Sequence, residues 1–320
     1  MLGRTANDLF WMSRYMERAE NMARLLEVGY RIALLPREGH GEHDEWRSTL
    51  RSAGCDERYL AKYGSHNTWD AVKFMLFDPG NPSSVYSCLA TARRNARAQR
   101  TALTREMWES LNSAWLEFSA QGTGTLGPDS LTPLLEWIKQ RSALFRGALL
   151  NTILRNDTFY FTQLGTFLER ADNTARILDV KYYVLLPHNE IVGGNVDTVQ
   201  WGAILRSVSA HRSYRWIYRD SHKPWRIADY LILNRQMPRS LRSCYEEILP
   251  CLVDLAQLYG SVKGPQDFAR ETLRQLTEGD MNAIFQSGLH EFLLDFIARN
   301  NRLGTDISKA YHFVDDMAPC

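Results

Sequence analysis

The strongest constraint on the fold is a segment of the chain that occurs twice. Residues 15–24 read YMERAENMAR and residues 167–176 read FLERADNTAR, so Glu17 corresponds to Glu169 at an offset of 169 minus 17, or 152. A repeat of this kind is more informative about architecture than local propensity. It predicts two copies of one structural unit.

Both copies have the periodicity of an amphipathic helix. Apolar residues recur in steps of three and four, which is typical of a helix packed in a bundle. Pro36 and Pro187 end the two stripes, and Thr5 with Asp8 resembles a capping box before the first. The stripes are Leu9, Met12, Met16, Ala19, Ala23, Leu26, Tyr30 and Ala33, then Phe161, Leu164, Leu168, Ala171, Ala175, Leu178, Tyr182 and Leu185.

Further blocks repeat in the same order along the chain. The offsets rise slowly and never fall, as expected after a tandem duplication with small loop insertions. No stretch has the sustained alternation of a strand. We therefore predict an all-α fold of two tandem-duplicated helical halves, residues 1–156 and 157–320, packed about a pseudo-twofold axis as one compact unit with long central helices. The pairs are Trp46 with Trp201 (offset 201 − 46 = 155), His66 with His222 and Pro82 with Pro238 (222 − 66 = 238 − 82 = 156), and Ile138 with Ile297 (297 − 138 = 159).

Composition excludes several classes of protein. The 320 residues are 44% hydrophobic and 23% charged, as in ordinary globular domains. A net charge of +1 favours neither nucleic acid nor an anionic membrane surface as a partner. No apolar run is long enough for a membrane helix and no signal peptide opens the sequence, so we expect a cytoplasmic protein. The five cysteines are scattered and predict no disulfide framework.

A stripe of polar residues lies on each repeated helix. Glu17, Glu20, Asn21 and Arg24 fall within a sector of roughly 100° on the first helix. The corresponding residues of the second helix are Glu169, Asp172, Asn173 and Arg176. The other faces are largely apolar, so the stripes are expected to be buried, and buried charges need partners.

Two interpretations of these stripes follow. Either they form an internal ion-pair network that sets the register of the central helices, or they form a pocket for a charged ligand, metal or substrate group. In the second case Glu17 and Glu169 are candidate acid/base groups. The candidate ligand-binding residues are Arg14, Arg18, Glu20, Asn21, Arg24, Arg170, Asp172, Asn173 and Arg176, with Arg93 and Arg97 from a separate basic stripe.

Metal and nucleophile chemistry finds little support. A di-iron site needs Glu-x-x-His pairs, but Glu20 and Asp172 stand where those histidines would be. We predict no metal site and no cofactor, with Mg²⁺ or Mn²⁺ on the carboxylates as an alternative that the neighbouring arginines oppose. His66 and His222 have either a catalytic or a packing role. Motifs for nucleophiles, phosphate loops and zinc are absent from the sequence.

Several motifs together resemble a known family. They are NDLFWMSRYMERAEN at residues 7–21, DPGNPSS at 78–84, Arg93 with Asn95, Ala96 and Arg97, EMWE at 106–109, and GLHEF at 288–292. Over its whole length the chain resembles the alpha-E domain family, bacterial all-helical proteins named for a Glu-Arg pair. It departs at Arg94, where the family usually has Glu.

The resemblance implies partners and no assigned activity. Members resemble components of gene clusters that also encode circularly permuted ATP-grasp ligases, transglutaminase-like proteases and sometimes a proteasome-related peptidase. Our leading hypothesis is an accessory protein that binds the ligase or its small peptide or carboxylate ligand. The alternatives are an enzyme acting on a small amide or peptide through Glu17 and Glu169, and a self-assembling structural bundle that forms a homo-oligomer. Neither a nucleic acid nor a membrane is expected as a partner.

Overall fold

Helices account for all regular secondary structure in the part of the chain that the structure describes, which confirms the all-α prediction. The computed structural model describes residues 1–34, 44–122, 126–183, 195–219, 222–260 and 264–313. No helix within these ranges is long and apolar enough to cross a membrane. Pro36 and Pro187 lie outside the described residues.

Fifteen helices lie within the described residues, and α1 and α8, which contain the repeated segment, are the longest. They are α1 Gly3–Ala33, α2 Asp44–Ser52, α3 Asp56–Tyr63, α4 Thr68–Leu76, α5 Val85–Ala98, α6 Arg105–Ser119, α7 Pro128–Thr152, α8 Asp157–Tyr183, α9 Asn195–Ser207, α10 His211–Tyr218, α11 Pro224–Ile232, α12 Leu241–Tyr259, α13 Pro265–Glu278, α14 Met281–Ser287 and α15 Leu289–Ala310.

Helices α1 and α8 lie side by side in the middle of the molecule. Helices α5 and α7 pack on α1, while α12 and α15 pack on α8, and α2 and α9 each contact both central helices. Because α1 has neighbours on most sides, almost every residue from Leu9 to Gly29 is buried, charged ones included. The two repeated polar stripes therefore lie inside the protein.

The start of α1 differs from the prediction. Thr5 and Asp8 do not form a capping box, because the helix already begins at Gly3, and the N-cap residue Leu2 makes no side-chain cap. Asp8 instead accepts a hydrogen bond from Gln99 Nε2 at 2.6 Å, which ties α1 to the end of α5. The carboxylate of a capping box would be bound to the backbone N–H of the N-cap residue. Asp8 has no such role and can accept a hydrogen bond from another helix.

Helices α1 and α8 approach each other closely at Gly165. A Cβ at this position would overlap the backbone oxygen of Phe10 and the hydroxyl of Ser13. Ser13 Oγ in turn donates to the Phe10 oxygen at 2.9 Å, so that hydroxyl stays folded against its own helix. The backbones touch here, and this contact fixes the register of the polar stripe on α1 against the one on α8.

We expect Gly165→Ala to lower the free energy of unfolding by about 1–3 kcal/mol, the usual cost of inserting atoms into a packed interior. The sign is diagnostic, because Ala in a helix normally stabilises by about 0.5–1 kcal/mol relative to Gly. Urea denaturation measures the difference.

Gly147→Ala in α7 is the matched control, since nothing lies within 4 Å of a Cβ at that position. It should be neutral or stabilising by up to about 1 kcal/mol. If Gly165→Ala behaved in the same way, the two central helices would not be in backbone contact.

Candidate functional site

The first group of ion pairs is enclosed and is called here the closed cluster. Glu17 is 1% exposed and accepts hydrogen bonds from Arg170 Nε at 3.0 Å and Arg146 Nη1 at 2.9 Å. Arg239 Nη1 lies 3.1 Å from Glu17 Oε1. The members of the closed cluster are Glu17, Glu20, Arg24, Arg146, Arg170 and Arg239.

The second carboxylate of the closed cluster, Glu20, is equally surrounded. It is 0% exposed and accepts from Arg24 Nε at 2.9 Å, and Arg146 and Arg239 also pair with it. The other end of the Arg24 guanidinium donates to the backbone oxygen of Ser207, at the end of α9. Arg146 and Arg239 each pair with both Glu17 and Glu20. These ion pairs link α7 and the turn before α12 to α1.

The electrostatics of the closed cluster favour the ionised forms of its carboxylates. Burial by itself would raise the pKa of Glu17, but the guanidiniums of Arg170, Arg146 and Arg239 outweigh it and lower the pKa to about 2. The pKa of Glu20 is likewise well below its usual value. Burial, with neighbouring cations, lowers the pKa of Arg239 to about 10.

The second group of ion pairs surrounds Glu169. Its carboxylate accepts from Arg18 Nε at 2.6 Å and from Arg14 Nε at 2.8 Å. Desolvation opposes ionisation here too, but these two cations lower the pKa of Glu169 to about 2. One helical turn further along α8, Asp172 Oδ2 accepts from Arg176 Nε at 2.6 Å.

This second group borders a cavity of about 620 Å³, called here the open cavity. The cavity lies between α1 and α8, with walls from α15, the start of α3 and the turn before α5. Trp11 forms part of its wall and stacks on Arg14, whose guanidinium carbon is 4.8 Å from the ring centre. Besides the ion-paired residues, the residues that line the cavity include Asn21, Arg58, Ser83, Asn173 and Gly304.

Several polar atoms at the open cavity have no hydrogen-bond partner among the described residues. They are Oδ1 of Asn21, Oδ1 of Asp172, and both Oδ1 and Nδ2 of Asn173. The three residues are only 2%, 7% and 2% exposed, respectively. Leaving such atoms unpaired costs about 1–3 kcal/mol each, so an unpaired buried group calls for a water, an ion or a ligand.

The predicted site residues divide between the two groups. Glu17, Glu20, Arg24 and Arg170 belong to the closed cluster. Those at the open cavity are Arg14, Arg18, Asn21, Glu169, Asp172, Asn173 and Arg176.

Arg93 and Arg97 lie apart from both groups, on α5. Arg93 donates to Asn112 Oδ1 on α6 at 2.8 Å, and Arg97 is exposed.

The two repeated histidines also lie away from the cavity. His66 Nε2 is 2.7 Å from Asp56 Oδ1, and the ring of His222 is 5.2 Å from that of His211. Burial lowers the pKa of His222, and the nearby arginines Arg206 and Arg215 lower it further. Neither histidine lines the open cavity.

Two arginines that complete the closed cluster were not predicted. Arg146 lies on α7, where the sequence repeat is weak, and no local pattern distinguishes it. Arg239 had a signal, because PRS at 238–240 matches PSS at 82–84 except at its middle residue. At this middle position the closed cluster has Arg239, whereas the open cavity has Ser83.

Carboxylates in both groups are occupied by guanidiniums rather than grouped for a metal. Across the described ranges, no set of three or more His, Cys, Asp or Glu side chains comes together as a metal site.

A family model described as "a predicted alpha-helical domain with a conserved ER motif" matches residues 1–312. The chain belongs to the Alpha-E family. This confirms the resemblance read from the sequence. The Glu-Arg pairs of this Alpha-E protein at 17–18 and 169–170 bind each other reciprocally, Arg170 to Glu17 and Arg18 to Glu169.

The relatives of this Alpha-E protein carry no functional description. Over 117 residues the chain is 32% identical to an uncharacterized protein of Mycobacterium bovis and to one of Mycobacterium tuberculosis, and 31% identical to one from another M. tuberculosis strain. Each match covers 33% of this chain and 13% of the relative, so the relatives extend far beyond the matched region. No solved structure matches the chain.

The closed cluster predicts how the stability of the protein responds to loss of Glu17. We expect Glu17→Gln to lower the free energy of unfolding at pH 7 by about 3–5 kcal/mol, because three guanidiniums, two of them buried, lose their anionic partner. The pH dependence has the same origin. With a pKa of about 2 when folded and 4.5 when unfolded, Glu17 stabilises fully above pH 4.5 and progressively less as the pH falls towards 2.

Urea denaturation between pH 7 and pH 2 tests both points. The variant should show a shallower loss of stability below pH 4.5 than the native protein, by about 3 kcal/mol across the window. Glu109→Gln is the control, because its exposed pair with Arg105 is worth less than about 1 kcal/mol. Parallel pH profiles for Glu17→Gln and the native protein would contradict the assignment.

Proposed function

We propose that this protein binds a small amino acid or short peptide in the open cavity. The observation that supports it is the set of buried, unpartnered polar atoms of Asn21, Asp172 and Asn173 beside a cavity of about 620 Å³. Pockets for small molecules usually have volumes of about 300–1,000 Å³ and a few convergent polar groups.

The mixed charge of the cavity favours a ligand that carries both signs. Arg14, Arg18 and Arg176 line it, and the exposed Arg58 lies at its edge. Guanidiniums bind carboxylates well, often through two parallel hydrogen bonds. The unpartnered oxygens, by contrast, are acceptors and suit an N–H donor. A free amino acid or a peptide with free ends has both groups.

Binding is favoured over acid/base catalysis by Glu17 and Glu169. Efficient general acids and bases have pKa values near the working pH. Both carboxylates have pKa values of about 2 and are held by two or more guanidiniums. They are therefore weak bases and are not protonated near neutral pH, so they could not act as acids.

Within a cell, we propose that the ligand is a substrate or product of a circularly permuted ATP-grasp amide ligase, and that this protein is an accessory of that ligase. The transglutaminase-like protease would act in the same pathway. Both partners rest on the family resemblance. A ligand with a free amine and a free carboxylate is what amide-bond synthesis consumes.

We also propose that the chain arose by tandem duplication, with halves 1–156 and 157–320 related by a pseudo-twofold axis. Reciprocal contacts support this. Arg24 donates to the backbone oxygen of Ser207 and Arg176 donates to that of Ser52 at 3.1 Å, and these two serines correspond at an offset of 207 − 52 = 155. The arginines themselves correspond at 176 − 24 = 152.

Ligand binding is tested by native mass spectrometry of gently purified protein, followed by denaturation to identify what is released, and by calorimetric titration with dipeptides such as L-alanyl-L-alanine. We expect a stoichiometric small molecule or dipeptide binding. Asn173→Leu replaces the unpaired amide by an apolar group of similar volume. It should weaken binding of the dipeptide or released ligand at least tenfold, because the ligand loses a hydrogen-bond partner.

Arg97→Ala is the matched control, because Arg97 is exposed on α5 and does not line the cavity. Its affinity should equal that of the native protein. A bare chain that binds none of the dipeptides would overturn the proposed binding function.

The accessory role makes a separate prediction. Ligase from the same gene cluster should co-purify with this protein or give a higher yield of product when the protein is added to the reaction. Identical yields and no co-purification would rule out the partnership while leaving ligand binding intact.

A further inference from the structure

The closed cluster and the open cavity are built from corresponding residues. In each, a Glu on one central helix is bound by the Arg of the Glu-Arg pair on the other helix, and an acidic residue three positions later is bound by an Arg four positions beyond it. The corresponding residues are Glu17 and Glu169, Glu20 and Asp172, Arg24 and Arg176, and Arg170 and Arg18. The closed cluster therefore serves as an internal reference for what the open cavity lacks.

The first difference is that Ser83 stands where the closed cluster has Arg239. The correspondence is set by the neighbouring helix caps. Ser84 Oγ accepts from Ser87 N at 3.1 Å to begin α5, and Ser240 Oγ accepts from Ser243 N at 3.0 Å to begin α12. Ser83 and Arg239 each precede the capping serine by one residue, and Ser83 lines the open cavity.

The second difference is that Gly304 stands where the closed cluster has Arg146. On α7, Ser142 Oγ donates to the Met16 oxygen at 3.4 Å, and on α15, Asn300 Nδ2 donates to the Leu168 oxygen at 3.0 Å. Met16 and Leu168 correspond in the repeat, so Ser142 matches Asn300 at 300 − 142 = 158, one less than the offset suggested by Ile138 and Ile297. Four residues further on, Arg146 matches Gly304.

Arg14 compensates for the loss of Arg146 at one carboxylate. Its Nε donates to Glu169 Oε2 at 2.8 Å, and a Cβ at Gly304 would lie 3.4 Å from its Nη1. The corresponding residue on α8 is Thr166, which carries no charge. The guanidinium of Arg14 thus occupies the space that the glycine leaves.

No described residue compensates for Arg239. In the closed cluster, that guanidinium pairs with both carboxylates, Glu17 and Glu20. Four arginines there serve two carboxylates, whereas three arginines serve Glu169 and Asp172. Asp172 Oδ1 is left without a partner in a buried position.

We infer that the open cavity binds the cationic group of its ligand, an ammonium or a guanidinium, at the position that Arg239 occupies in the closed cluster. The inference rests on the proposed function and specifies the class of ligand. Asn21, Asp172 and Asn173 line the cavity and each has an unpartnered oxygen, and such oxygens accept hydrogen bonds from the N–H groups of a cation. With the ligand's cation in place, the open cavity has four cationic groups for two carboxylates, the same number as the closed cluster.

The first test is Ser83→Arg, which supplies the missing guanidinium from the chain itself. We expect binding of the dipeptide or released ligand to weaken at least tenfold, and the Tm of the free protein to rise by about 2 °C or more. Ser83→Met is the matched control, since it fills a similar space without charge and should not raise the Tm. If neither variant raises the Tm, the inference is overturned.

The second test separates the two sources of the cation. L-alanyl-L-alanine is compared with its N-acetyl derivative, and N-acetyl-L-arginine with N-acetyl-L-citrulline, by calorimetric titration. We expect one charged probe to bind at least tenfold more tightly than its neutral partner, which identifies an α-amine or a side-chain guanidinium.

Neutral probes that bind as tightly as charged ones would overturn the inference and leave the proposed binding function standing. A chain that binds no probe and releases no ligand would instead overturn the proposed function, and the inference with it.

Discussion

The structure depends on reciprocal salt bridges between its two central helices, Arg170 with Glu17 and Arg18 with Glu169. Buried charges are tolerated only when they are paired with good geometry. Pairing in both directions requires one register of α1 against α8, and the backbone contact at Gly165 provides it. The surrounding helices then have a defined role, because α7 and the turn before α12 supply the arginines that close one of the two sites.

The closed cluster and the open cavity differ in the groups that surround their carboxylates. In the closed cluster every carboxylate oxygen has a guanidinium partner from the chain, so the cluster holds four segments together. At the open cavity, Ser83 stands in place of an arginine and Asp172 keeps an unpaired oxygen. Under the proposed duplication and binding function, one copy of the arrangement stabilises the fold and the other binds a ligand.

The sequence was most informative where physics is local. Helical periodicity located α1 and α8. Because the other faces of both helices are largely apolar, the sequence also predicted that Glu17 and Glu169 would be buried, as they are. Arg146 could not be found in this way, because it lies 129 positions from Glu17 in the sequence and the repeat is weak in its own helix. Arg93 and Arg97 look equally basic in sequence, yet their face of α5 turns away from the central helices.

Unpaired polar atoms at the open cavity link binding to stability. In the free protein they raise the free energy of the folded state, because no partner replaces the water lost on burial. A ligand that satisfies them binds the folded chain and not the unfolded one, so it stabilises the fold by mass action. The closed cluster shows that this chain can satisfy equivalent groups with its own arginines. If the proposed function holds, Ser83 in place of a fourth arginine lowers the stability of the free protein and makes completion of the site depend on a ligand.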